Sequence, residues 1–270
     1  MVNAIIFDLD GTLADTMDDL MTAINKMLVT LGYDTRTKAE LIRFINRGTR
    51  AFVKQSLPLE VQDVEFIVDS GIEIYKEEYE KCYLEKTYAF DGMKEALEGL
   101  KERGLKLAVL SNKPDKFVKD ICNKLFGKKL FKVVMGQSDL PTKPDPSSAL
   151  LISRLIGAKP SRCIVVGDSD VDVKTAQNAG MEFVGVSWGY RSERVLSDAG
   201  AKYIVEDTEG LISTVEEIVK RVNAKKKRFS KAKNTESPLK EEVKLTEENL
   251  IEEELEQEPT LEKISEIESK

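Results

Sequence analysis

Carboxylates gather at two places in this chain, each where a buried strand is expected to end. The first is Asp8-Leu9-Asp10-Gly11-Thr12, after the apolar run Ala4-Ile5-Ile6-Phe7. The second is Gly167-Asp168-Ser169-Asp170-Val171-Asp172, after Cys163-Ile164-Val165-Val166. Strand side chains repeat every second residue, so Asp8 and Asp10 project to one side. Two acids held together at the end of a buried strand repel unless a cation or a shared proton intervenes, and a metal site is the first chemistry they suggest. Two further polar clusters follow predicted strands, Ser111-Asn112-Lys113-Pro114 and Lys143-Pro144. A hydroxyl, an amide and an ammonium suit a phosphoryl group, as carboxylates suit a hard cation.

The chain has no histidine. That excludes Ser-His-Asp and Cys-His nucleophiles and His-ligated zinc. Acid–base work then falls to carboxylates, lysine, tyrosine or cysteine, and a metal with oxygen ligands favours Mg2+ or Mn2+. Each cluster alone has a blander reading. A strand-end Asp pair can cap a turn, Ser111 can open a helix, Lys143 can be solvated, and Asp168, Asp170 and Asp172 can complement a helix N-terminus. Asp8-Leu9-Asp10-Gly11 superficially resembles a calcium loop, but its glycine falls too early and a buried strand precedes it. None of these readings explains why four strands end in mutually complementary groups.

Those groups meet only if the strands run parallel, and the order of elements predicts that they do. Asp15 and Thr16 are suited to cap a helix through Leu20, Ile24 and Leu28, ended by Gly32. Thr37-Lys38-Ala39-Glu40 has capping-box spacing and opens a second helix. Arg47-Gly48-Thr49 breaks that pattern, and further helices are predicted over 49–56, 62–70 and 71–85. Beyond this helical insertion, strands predicted at 106–110, 132–135, 162–166, 183–186 and 203–205 alternate with helices at 93–103, 116–125, 147–156 and 171–179. The alternation predicts an α/β fold, a Rossmann-like parallel sheet with helices on both faces, which binds ligands beyond the carboxyl ends of its strands. The expected organisation is a core domain of residues 1–14 and 88–222, a small all-α domain of residues 15–87, and a charged tail of residues 223–270.

The tail opens with a basic block from Lys225 to Lys233 and continues, after Ser237-Pro238, as a glutamate-rich run. It has too little apolar side chain to offset ordering entropy, so disorder is expected. We read it as solvated, with an unknown partner for its opposed charge blocks as the alternative. Over all 270 residues the composition is 41% hydrophobic and 33% charged, with a formal net charge of −7. That fits a globular core and argues against a nucleic-acid surface. No run is long or apolar enough for a bilayer, residues 1–3 are not a secretory leader, and Cys82, Cys122 and Cys163 lack metal-ligand spacing. The expectation is a cytoplasmic protein that binds neither membrane nor nucleic acid, a monomer or weak homodimer whose cysteines fill the core.

In order and spacing, Asp8-Leu9-Asp10-Gly11-Thr12-Leu13 with Asp15-Thr16, Ser111-Asn112-Lys113-Pro114, Lys143-Pro144-Asp145-Pro146, and Gly167-Asp168-Ser169 with Asp172 resemble the four motifs of the haloacid dehalogenase superfamily of phosphatases. The resemblance covers residues 4–219, and the helical insertion is similar to that superfamily's α-helical cap. Within it, the phosphoglycolate phosphatase and related pyrophosphatase group carries a segment similar to Val186-Ser187-Trp188-Gly189-Tyr190-Arg191. The resemblance implies an Mg2+-dependent phosphatase for a small phosphorylated metabolite, with phosphoglycolate first and pyrophosphate or a sugar phosphate next. It implies that Asp8 is the nucleophile and Asp10 the proton carrier, with Lys143 neutralising charge on Asp8 and the transferring group. Thr12, Ser111, Asn112 and Lys143 are implied to bind phosphate, and Arg47 and Gly48 to reach the rest of the substrate. The implied Mg2+ site is Asp8, the Asp10 backbone carbonyl and Asp168, with Asp172 holding coordinated water. A phosphomutase is disfavoured, because its resemblance calls for a histidine near the cap hinge. A non-catalytic binding protein on the same scaffold is opposed by the intact acids, Ser111 and Lys143.

Overall fold

The structure is a computed structural model that describes residues 2–137 and 139–233. Strand β1 (Ala4–Phe7) is followed by the two-residue strand β2 (Ala14–Asp15) and by helices α1 (Met17–Thr30), α2 (Lys38–Phe44), α3 (Thr49–Ser56) and α4 (Glu65–Cys82). A second two-residue strand, β3 (Tyr88–Ala89), precedes α5 (Met93–Glu102), β4 (Lys106–Pro114), α6 (Asp115–Phe126) and β5 (Val133–Gln137). Then come α7 (Ser147–Leu155), β6 (Cys163–Gly167), α8 (Asp170–Asn178) and β7 (Glu182–Val186). The last elements are α9 (Glu193–Asp198), β8 (Ile204–Val205) and α10 (Thr208–Lys233). The described residues up to Asn223 make one compact unit. The helix α10 runs past Asn223 to Lys233, through the basic block where the composition predicts order to end. From residue 234 the expected charged tail lies outside the described residues.

The predicted parallel sheet is present, in the order β5-β4-β1-β6-β7-β8. The strand β1 is apolar and buried at every position because β4 and β6 flank it and helices cover both faces. Ile5 and Phe7 pack on the face that holds Leu97, Ile121 and Leu211 from α5, α6 and α10. Ala4 and Ile6 pack on the other, with Ile152, Ala176 and Leu196 from α7, α8 and α9. Each fully buried large apolar side chain contributes about 1.5–3 kcal/mol, and a one-residue slip would move the whole set to the wrong face. The register is therefore tightly held. It sets Phe7 level with Val109 and Val166, so the residues just beyond, among them Asp8, Ser111 and Asp168, emerge together at one edge.

The local expectations fail in three instructive places. The predicted break at Gly71 is absent, and α4 runs through it. A Cβ there would come within 3.1 Å of Val53 and 3.4 Å of Met27, so the glycine serves close packing against α3 and α1. The strand predicted at 106–110 continues to Pro114, with a register shift after Leu110 before Pro114 pairs with Gln137. The short ribbon of β2 and β3 gives no periodic signal, yet it joins the two crossings between sheet and helical insertion. The capping box at Thr37 and Glu40 is formed as its spacing predicts. Among the described residues, no helix is long and apolar enough to cross a membrane.

Candidate active site

Six charged side chains are buried where β1, β4 and β6 end, Asp8, Asp10, Asp168, Asp172, Lys113 and Lys143, none more than 7% exposed. Lys143 reaches the group from the segment before α7, its Nζ 2.9 Å from Asp8 Oδ1 and 2.7 Å from Asp172 Oδ1. Burial alone would lower its pKa, but Asp172 and Asp8 more than offset that and raise it. Asp8 is pushed well above the usual carboxylate value by burial and then by Asp172, with Lys143 acting against them. Burial, then Asp172, raises Asp168 to about 7, although the Tyr190 N–H donates to its Oδ2 at 2.7 Å. Two carboxylates that resist ionisation in a shared buried space carry repulsion that a proton or a cation would relieve.

The donor set fits that cation. Asp8, Asp168 and Asp172 each offer an oxygen, and these oxygens lie within 4.8 Å of one another. All are hard donors suited to Mg2+. Four buried carboxylates face two buried ammonium groups, so two negative charges lack a buried lysine partner, the charge of one divalent ion. The fourth predicted acid stands apart: the Asp10 carboxylate takes a short hydrogen bond from Thr16 Oγ1 and pairs with Lys113 Nζ at 2.6 Å, both on Oδ1. Thr16 is thus a partner of Asp10 rather than a side-chain helix cap; it is Asp15 Oδ1 that accepts from the first helical N–H, of Met17. Asp172 has a second task, since its Oδ2 and Ser169 form the capping box that opens α8.

Close backbone approach makes this density workable. Gly11 adopts φ +85°, and a Cβ there would lie 2.4 Å from Asp168 Oδ2. At Gly189 a Cβ would lie 2.3 Å from the Asp168 side chain. Only glycine fits either place. The neighbouring Tyr190 hydroxyl donates to Asp15 Oδ1 and accepts from the Thr16 N–H, while Arg191 donates to the carbonyls of Ile42 and Ile45 at the end of α2. The segment 186–191 therefore ties the acidic cluster to the helical insertion.

Above the charges lies a cavity of about 40 Å3. Asp8, Asp10, Ser111, Lys113 and Lys143 form its polar wall, and Leu20, Ile45, Phe52 and Tyr75 from the insertion form its apolar one. Gly48 also lines it, at φ +85°. Asn46 lines it at φ +79°, a conformation rare outside glycine, with its Nδ2 buried and without a hydrogen bond.

Three predicted residues are used differently from expectation. The Asn112 amide, expected on phosphate, donates both N–H groups to the carbonyls of Asn46 and Lys143 and braces those two segments. Thr12, expected on phosphate, donates to Asp168 Oδ1 at 3.3 Å. Arg47, expected over the substrate, is half exposed, pairs with Asp170 at 3.5 Å and does not line the cavity. Lys113, Asn46, Tyr190 and Arg191 have no role legible in the sequence. Lys113 sits inside a quoted motif, but a strand-end lysine ordinarily reads as solvated. The cysteines are buried, as expected of core filler, and burial raises Cys122 to about 12.

Residues 5–186 match the family model described as haloacid dehalogenase-like hydrolase. The chain is 32% identical over 214 residues to a phosphoglycolate phosphatase of Psychrobacter arcticus, covering 77% of this chain and 93% of that one. It is 28% identical over 212 residues to a phosphoglycolate phosphatase of Pseudomonas putida, covering 77% and 78%. Among solved structures, a predicted phosphoglycolate phosphatase from Haemophilus somnus superposes with a TM-score of 0.73 at 26% identity, covering 79% of this chain and 97% of that one.

Proposed function

The chain belongs to the haloacid dehalogenase-like hydrolase family, and from that premise we propose that it is a phosphatase that hydrolyses a small phosphorylated metabolite, phosphoglycolate first. The buried pair of Lys143 with Asp8, lining a cavity between strand ends and helical insertion, is the observation that carries this reading. Lys143 keeps the Asp8 carboxylate available for attack on phosphorus and offsets charge on the transferring group. As the P–O bond to the leaving group breaks, Asp10 gives its proton to the departing oxygen. It then takes a proton from the water that attacks the aspartyl-phosphate, which releases phosphate and restores the Asp8 carboxylate. Thr16 and Lys113 hold Asp10 by Oδ1, so Oδ2 is the oxygen left for proton transfer.

Asp8, Asp168 and Asp172 would hold Mg2+, with the Asp10 backbone carbonyl as a further ligand, and the ion would offset repulsion between nucleophile and phosphate. Ser111 Oγ donates to a phosphate oxygen. Leu20, Ile45, Phe52 and Tyr75 exclude bulk water, and on this reading residues 15–87 act as a cap. The choice of phosphoglycolate is supported by two similar proteins that are named phosphoglycolate phosphatases.

The test is phosphate release from phosphoglycolate, pyrophosphate, ethyl phosphate and sugar phosphates, with Mg2+ and with excess chelator. Phosphoglycolate should lead, and chelator should abolish release. A sugar phosphate in first place would overturn the substrate, and metal-independent release would overturn the site.

A further inference from the structure

Lys113 is an ammonium with more donors than the protein uses. It has three N–H donors. The described residues supply one hydrogen bond, to Asp10 Oδ1 at 2.6 Å, and the Tyr79 ring, whose centroid is 5.0 Å away. Burying such a group is costly unless its donors are met. Lys143, by contrast, is held between two carboxylates. Among the described residues these two are the cations that line the cavity; the polar side chains on the insertion side, Asn46, Thr49 and Tyr75, are neutral.

We infer that Lys113 is the specificity residue of this site, using its remaining donors to bind a carboxylate carried by the leaving group of the substrate. The inference rests on the assignment of Asp8 and Asp10 above. Asp10 delivers its proton to the ester oxygen, and Lys113 stands on that same carboxylate. An anion held by Lys113 must therefore lie within a few bonds of the ester oxygen. A two-carbon acid meets that condition, and an ester with a neutral tail leaves the buried ammonium without an anionic partner on the substrate. Lys113 thus has two tasks, anchoring Asp10 and reading charge on the departing group. The second is separable by experiment.

The experiment compares phosphoglycolate with 2-phosphoglycolamide, its neutral isostere. The wild-type enzyme should favour the acid in kcat/KM by about 10- to 100-fold, the scale of one charge-assisted hydrogen bond. Lys113→Met lowers both rates through Asp10, but the preference should collapse to within about threefold, whereas Lys113→Arg should keep its direction. Lys113→Gln, read in the same way, serves where Lys113→Met does not fold. A wild-type enzyme indifferent to the charge, or a Lys113→Met enzyme that keeps the full preference, would overturn the inference. Turnover of other phosphomonoesters but neither of these would also overturn it while leaving the phosphatase reading intact. No release from any phosphomonoester would overturn that reading and this inference together.

Discussion

The two walls of the cavity are built by different rules. The polar wall stands on strand ends, where β1, β4 and β6 share one register and Asp8 and Ser111 emerge together, with Asp168 beside them, because their strands cannot slip. The opposite wall belongs to helices α1 to α4 and their loops, whose position depends on side-chain ties. Among them are Arg191 to the end of α2, Asn112 to Asn46 O, the exposed pairs of Arg47 with Asp170 and Lys116 with Glu80, Tyr83 to Asp120, and the rings of Tyr79 and Tyr83 on Phe117. On the proposed function, the chemistry and the charge reading by Lys113 sit on the wall held by strand register, and access is set by the wall held by side-chain ties.

The largest effect that tests this contrast is at the polar wall. Asp8→Asn should lower kcat by about 1000-fold or more while circular dichroism and the melting temperature hold, because it removes one acid from a buried excess of acids. Substantial residual turnover would remove Asp8 as nucleophile. On the helical side, Arg191→Met frees the carbonyls of Ile42 and Ile45 and should cut kcat/KM by about tenfold, mainly through KM. An unchanged rate would mean that α2 needs no such tie.

A third test separates the walls by pH. Asp168 moves from 3.8 up to about 7 on folding. The native state therefore holds this proton more tightly than the unfolded chain, and the metal-free protein should lose stability as pH rises through the carboxylate range towards about 7. Mg2+ competes with that proton, so the rise in melting temperature it produces, measured by differential scanning fluorimetry, should grow between pH ~5.5 and ~7.5. A gain that stays flat would put the metal elsewhere. The smallest effect belongs to Arg47→Ala, which breaks one exposed pair and should leave kcat/KM within about threefold. A larger loss would give Arg47 the direct substrate role that its present pairing with Asp170 does not suggest.

Much of the polar wall was legible in the sequence. The apolar run of β1, the period of two in each strand and the alternation with helices are local signals, and together they predict a parallel sheet whose ends collect Asp8, Asp10, Ser111, Lys143, Asp168 and Asp172. The helical wall was legible only as helices. Gly71 reads as a break until α4 is seen packed on Val53 and Met27. Thr16 reads as a cap until its hydroxyl is found on Asp10. The Asn112 amide reads as a phosphate ligand until both of its N–H groups are found on carbonyls.

The sequence alone determined the type and order of the elements and the acids at the strand ends, because burial and strand period are written into neighbouring residues. Only the tertiary structure decided which charge meets which. Lys113 finds Asp10 across 103 residues, and Arg191 finds Ile42 across 149. Partners so far apart leave no periodic trace, and a buried lysine is told from a solvated one only by the side chains that close around it.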